Sequence, residues 1–160
     1  MKLHLEEWES FSLIGPACDF TPADTSDIPG LWKRLGERLS EIGGHPANNR
    51  YFGYCIAKGG NNGEQRYLAG VECDRDTSVP EGLEKINVPA RLYAVFTHKI
   101  ENPNLGKDLK RTFSAIFSEW LPQTAYQFIG SGDFELYDER FDPKTMSGTL
   151  DIYIPVEPRE

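Results

Sequence analysis

Two stretches of the chain carry apolar side chains at the three- and four-residue spacing of an amphipathic helix. The first follows Ser26 and Asp27, has Pro29 in its first turn and stops at the glycine pair that begins at Gly43. The second stops at Pro122, which cannot continue a helix. The apolar positions are Ile28, Leu31, Trp32, Leu35, Leu39 and Ile42, then Leu105, Leu109, Phe113, Ile116, Phe117, Trp120 and Leu121. We therefore predict two helices, one in each half of the chain.

Alternating, aromatic or β-branched runs predict strands on both sides of each helix. The predicted strand segments are residues 3–18, 51–57, 66–73, 86–97, 125–129, 134–140 and 148–156. The first carries a bulge near Ser10 and is expected to end near Gly15-Pro16. The second and third form a hairpin closed by the glycine-rich turn 58–63. The order strand, helix, strand, strand therefore occurs in both halves, and the second half has one further strand.

This duplicated order predicts an α+β fold built from two similar halves, residues 1–78 and 84–158, within one domain of residues 1–160. One helix and three strands bury too little surface to be stable alone, so we expect the halves to share one antiparallel sheet. Both helices are then expected on one face of that sheet, related by a pseudo-twofold axis. A central cleft between the halves is the natural place for a ligand.

Composition narrows the classes of function. Of the 160 residues 39% are hydrophobic, which is enough for a packed core, and the net charge is −8. This charge argues against a nucleic-acid-binding surface, so we expect no DNA mobility shift even at low salt. We expect no membrane span either, because no run of about 18 apolar residues occurs. The acidic N-terminal segment and three cysteines without CxxC spacing predict a cytoplasmic protein.

The residue with the most interesting position is Glu135. It lies between Phe134 and Leu136 in a predicted strand, so alternation places it on the same face as Tyr137. A carboxylate and a phenol on one face form either a solvent-exposed edge or the floor of a pocket. The three histidines have no metal-ligand spacing and the glycine-rich turn lacks the Lys-Ser/Thr of a phosphate-binding loop. We therefore predict no metal and no cofactor.

Several segments together resemble the GyrI-like small-molecule-binding domain, the effector module of many AraC-type and MerR-type regulators. They are Trp120-Leu121-Pro122, then FELYDERF from Phe134, DIYIPV from Asp151, YLAGVE from Tyr67 and INVPARLYAVF from Ile86. The resemblance covers residues 12–156 and implies a duplicated fold with a pocket for bulky, often cationic, aromatic compounds. It also implies an acidic residue at the pocket floor, which corresponds to Glu135. No part of the chain remains for a helix-turn-helix.

The predicted ligand-binding site follows from this resemblance and from side-chain chemistry. Glu135 provides the charge that a cationic ligand needs, and Tyr137 can donate its hydroxyl from the same face. Trp120 is assigned to the wall beside Glu135, with a position in the core as the alternative, whereas Trp32, its counterpart on the first helix, is expected in the core. Wall residues expected from the first half are Tyr51, Tyr54 and Tyr67.

Three functions are compatible with this site. The leading hypothesis is a stand-alone cytoplasmic protein that binds or sequesters amphipathic, cationic aromatic compounds. The second is a hydrolase of cyclopropane-bearing toxins, in which Glu135 is the general base and Tyr137 or Trp120 holds the leaving portion. The third is a protein-interaction role, such as inhibition of a topoisomerase through the acidic surface.

Overall fold

The computed structural model describes residues 3–43, 49–59, 63–100, 105–145 and 147–160, so residues 60–62 of the predicted glycine-rich turn lie outside it. Both predicted helices are confirmed. Helix α1 spans Ile28–Arg38 and tightens into a 3₁₀ turn at Leu39–Glu41. Helix α2 spans Leu105–Ala115, continues as a π-helical turn at Ile116–Trp120 and ends in a 3₁₀ turn at Leu121–Gln123. No helix within the described ranges is long and apolar enough to cross a membrane.

Eleven strands pair in antiparallel fashion in one sheet across the described residues. They are β1 Leu3–Trp8, β2 Phe11–Gly15, β3 Ala17–Phe20, β4 Tyr51–Ala57, β5 Gln65–Cys73, β6 Glu84–Val88, β7 Arg91–Ile100, β8 Tyr126–Phe128, β9 Phe134–Tyr137, β10 Phe141–Asp142 and β11 Ser147–Pro158. The main order is β1-β7-β11-β9-β4-β5-β2-β6, with β3, β8 and β10 paired beside it. The α+β class and the large antiparallel sheet are as predicted.

Two predicted strands are wrong because each is divided. Residues 3–18 form β1 and β2 and enter β3, with a break at residues 9–10, where a bulge was predicted, and an end at Gly15 before Pro16, as predicted. Residues 86–97 form β6 and β7, which are separated at Pro89. Proline lacks the N–H that a ladder requires, and it ends the pairing at both places.

The strand order is symmetric about the central pair of β9 and β4. Strand β1 precedes β2 in the chain but pairs with β7, and β6 precedes β7 but pairs with β2. The leading strand of each half therefore completes the other half, which ties the two halves together. The boundaries 1–78 and 84–158 stay a prediction.

One row of side chains runs across five strands on the face that the helices cover. Its paired positions are Phe96, Ile152, Glu135, Gly53 and Ala69. Helix α2 and its π-helical turn pack on Phe96 and Ile152, and α1 packs on Ala69. Both helices thus lie on one face, as predicted, and the middle of the row holds a carboxylate and a glycine.

The opposite face of the sheet carries a separate aromatic core. Phe134 is fully buried there and stacks on Tyr153, with ring centroids 4.6 Å apart. Phe52, Tyr54 and Tyr93 pack in the same cluster. This second core fixes β4 and β9 from below, so that their other face can hold polar groups in a defined position.

Candidate ligand-binding site

A cavity of about 1200 Å³ lies between α1 and α2, over the central strands. It exists because the sheet positions beneath it carry Gly53, Cys55 and Glu135 instead of large apolar side chains. The helices supply its apolar walls, for example Trp32 from α1 and Phe113 from α2. Other aromatic lining residues are Phe20, Phe117, Phe128 and Phe141. This volume is at the upper end for ligand sites and suits a bulky aromatic compound.

The floor of the cavity is a buried carboxylate held by two phenols. Glu135 is 7% exposed, and its Oε1 accepts hydrogen bonds from the Tyr137 hydroxyl at 2.7 Å and from the Tyr67 hydroxyl at 3.1 Å. Both tyrosines are themselves buried, and the edge of the Trp32 ring lies against each of them. The arrangement fixes the carboxylate and satisfies one of its two oxygens.

Gly53 makes room for this arrangement. A Cβ at this position would lie 2.0 Å from the Tyr67 hydroxyl and 3.0 Å from Oε1 of Glu135. Any side chain larger than hydrogen therefore collides with the hydroxyl that holds Glu135.

A second carboxyl group, Asp133, faces the same cavity. Its backbone oxygen accepts a hydrogen bond from Cys55 N–H at 2.9 Å, and the adjacent Gly132 N–H donates to the Cys55 oxygen at 3.1 Å. These bonds fix the start of β9 to β4. We did not predict Asp133 as a site residue, although it lies two residues before Glu135, and alternation could have placed both on one face.

Burial controls the protonation of both carboxyl groups. It raises the pKa of Glu135 to about 7, partly offset by the hydrogen bonds from Tyr137 and Tyr67, and the charge of Asp133 raises it further. Burial likewise raises the pKa of Asp133 to about 6. Among the described residues, no basic side chain forms an ion pair with either group. The site is therefore an aromatic cavity with two uncompensated acids.

The structure brings four of the six predicted site residues to this cavity. Glu135, Tyr137, Tyr51 and Tyr67 all line it, and their role in binding stays a prediction. Tyr54 does not line it, because alternation along β4 turns its ring to the opposite core, where it stacks on Phe134 at 6.1 Å.

The two tryptophans differ in their relation to the cavity, because Trp32 lines it and Trp120 does not. Trp120 stacks on Phe96 at 6.0 Å and packs in the core under α2, so its predicted wall position is wrong. The π-helical turn at Ile116–Trp120 breaks the helical spacing on which that prediction depended. Trp32 packs against the core clusters under both helices, as expected, and it also lines the cavity with its ring centroid 5.3 Å from that of Tyr137.

The profile of the Cass2 family, described as integron-associated effector binding protein, matches residues 4–156. The chain belongs to this family. The match confirms the resemblance to effector-binding domains. The transcriptional regulator BrlR of Pseudomonas aeruginosa is 36% identical over 157 residues, which are 98% of this chain and 56% of BrlR. The chain thus spans about half the length of this curated relative.

Two solved structures are similar to this Cass2-family chain in fold. The integron cassette protein VCH_CASS2 of Vibrio cholerae superposes with a TM-score of 0.71 at 19% identity, covering 97% of this chain and 95% of that one. SAV2435, described as bound to tetraphenylphosphonium, superposes with a TM-score of 0.70 at 20% identity, covering 98% and 94%. At such identities the likeness establishes the shared fold.

Proposed function

We propose that this chain binds bulky aromatic compounds that carry positive charge, in the cavity between α1 and α2, with Glu135 as their counter-ion. The observation that carries the proposal is a buried carboxylate without a basic partner at the floor of an aromatic cavity. Burying an unpaired charge is unfavourable, so the empty site favours the neutral acid. A bound cation supplies the missing charge, and the surrounding rings add cation–π attraction.

The comparisons support this proposal without testing its residues. The family to which the chain belongs is named for effector binding. SAV2435, which shares the fold, is described with tetraphenylphosphonium, a compound that combines four aromatic rings with one positive charge. A cavity of about 1200 Å³ has room for a compound of this kind.

The test is a calorimetric titration of tetraphenylphosphonium and of neutral triphenylphosphine oxide between pH 5 and pH 8. We expect the cation to bind more tightly as pH rises toward the pKa of about 7, because its counter-ion becomes ionised. The affinity of the neutral compound should be nearly independent of pH. Equal affinities for the two compounds, or a flat profile for the cation, would reject the proposal.

Trp32 should report the bound ligand by fluorescence. The chain has three tryptophans, and of these Trp32 lines the cavity, while Trp8 and Trp120 pack in the two cores. We expect a coloured aromatic cation to quench Trp32 strongly at short range. Trp32→Phe should therefore lose most of the quenching signal, and the matched variant Trp120→Phe should retain it. The reverse result would place the ligand beside Trp120, outside the cavity.

Hydrolysis is a second candidate function, and one observation favours it. A carboxyl group with a pKa of about 7 is suited to act as a general base near neutral pH. Trp120 lies outside the cavity and cannot hold a leaving group there. Product formation from a cyclopropane-bearing electrophile that disappears in Glu135→Gln would establish this function. The expected absence of nucleic-acid binding and the cytoplasmic location stay predictions.

A further inference from the structure

We propose that Asp133 is a second counter-ion position in this cavity, and that the site selects aromatic dications over monocations of the same shape. The inference rests on the proposed function and extends it from one carboxylate to a pair. It identifies the class of ligand by charge number and charge spacing.

The geometry places the two acids in a fixed relation. Asp133 directly precedes β9 and lies two positions before Glu135, and both residues line the cavity. Two residues of extended chain span roughly 7 Å. The backbone bonds to Cys55 fix the main chain at Asp133, and the two tyrosine hydroxyls hold the carboxylate of Glu135. A rigid aromatic ligand with two charges at a similar spacing can therefore contact both groups at once.

The other charged side chains along the cavity leave this pair uncompensated. They are Lys33, Glu64, Lys110 and Asp138. Asp138 accepts a hydrogen bond from Nε of Arg140 at 2.9 Å, so its charge already has a partner. Neither lysine forms an ion pair with Asp133 or Glu135. The half-buried Asp133 and the buried Glu135 are thus the groups that an incoming charge can neutralise.

A monocation neutralises the charge of one carboxyl group of the pair and leaves the second carboxyl group without a counter-ion. The remaining carboxyl group must then stay protonated or carry an uncompensated buried charge, and both cost free energy near neutral pH. A dication removes this cost by ionising both groups. The pKa values of about 7 and about 6 mean that both acids hold protons in mildly acidic solution. A dication should therefore displace more protons than a monocation.

Two rod-shaped probes of matched size test the inference. They are 1,1′-dimethyl-4,4′-bipyridinium, with two charges, and 1-methyl-4-(4-methylphenyl)pyridinium, with one. Calorimetry at pH 7.5 should show the dication binding about tenfold more tightly or better, the scale of one further charged contact. Titrations at pH 5.5 in two buffers of different ionisation enthalpy should show up to about one additional proton released by the dication.

Variants of the two acids separate this inference from the proposed function. Asp133→Asn should reduce dication affinity about tenfold, to the level of the monocation, and barely change the monocation. Asp133→Glu should retain the preference, and Asp138→Asn is the matched control that should leave it intact. Thermal unfolding verifies that each variant is folded.

The possible failures are distinguishable. If the monocation binds better than neutral 4,4′-dimethylbiphenyl but the dication gains nothing, Asp133 is not a counter-ion and the proposed function stands. If the preference for the dication survives in Asp133→Asn, Asp133 is likewise not a counter-ion and the proposed function stands. If neither cation binds better than the neutral rod, the inference fails together with the proposed function.

Discussion

Gly53→Ala is expected to destabilise the protein by roughly 2–4 kcal/mol and to abolish ligand binding, although it adds only one methyl group. The new Cβ would lie 2.0 Å from the hydroxyl and 2.7 Å from Cζ of Tyr67. Tyr67 is 3% exposed and packed against Trp32 and Phe20, so the ring has little room to move away. Its displacement would also break the hydrogen bond to Glu135. Urea unfolding and titration with tetraphenylphosphonium measure the two effects.

Two further variants make this prediction specific. Gly30→Ala introduces the same change in α1, where no atom lies within 4 Å of the new Cβ, and should stabilise the protein by up to about 1 kcal/mol. Adding Tyr67→Phe to Gly53→Ala removes the closest clashing atom and should restore part of the lost stability. If Gly53→Ala were as stable as Gly30→Ala, the packing of the cavity floor described above would be incorrect.

Local periodicity was sufficient to predict the helices and the most important position of the site. The helical spacing of Leu31 and Leu35 identified the buried side of α1. The alternation around Glu135 and Tyr137 placed both side chains on one face, and the structure joins them by a hydrogen bond of 2.7 Å. Both predictions depend on residues within one element, where the period alone decides which face a side chain takes.

The predictions failed where the position of a residue depends on pairing with a distant strand or on a local change in helix geometry. Strands β1 and β2 follow each other closely, but their partners lie in different halves, and no local pattern shows which partner a strand will find. Trp120 and Trp32 occupy similar places in their two helical stripes. The π-helical turn at Ile116–Trp120 makes these places different, and the apolar pattern gave no sign of it. The error at Tyr54 could have been avoided, because simple alternation from Cys55 would have excluded Tyr54 from the cavity.

Glu135→Gln is expected to weaken binding and to strengthen folding. The amide retains an oxygen that can accept the hydrogen bonds from Tyr67 and Tyr137, so the shape of the floor should persist. Loss of the negative charge should make the binding free energy of tetraphenylphosphonium less favourable by roughly 1.5–3 kcal/mol, which is the scale for a hydrogen bond to a charged group. Triphenylphosphine oxide should bind equally to both proteins. A similar loss for both compounds would show that shape, and not charge, is responsible.

The effect of Glu135→Gln on stability should depend on pH, with a sign fixed by the raised pKa. In the folded protein burial raises the pKa of Glu135 from its ordinary value of 4.5 to about 7. Between these values the Glu135 carboxyl group binds more protons in the folded than in the unfolded state, so its contribution to the wild-type free energy of unfolding falls as pH rises and levels off above pH 7. This change amounts to about 3 kcal/mol at most.

Glutamine does not titrate, and therefore the variant should gain stability over the wild type as pH rises. We expect the two proteins to differ least near pH 4.5, where Glu135 is largely neutral in the folded protein, and most near pH 8. Asp133 titrates in both proteins and largely cancels in the comparison. Urea unfolding at pH 4.5, 6 and 8 measures the difference. If that difference were constant with pH, the pKa of Glu135 would not be raised by burial. The opposing effects of the substitution on folding and on binding would then need another cause.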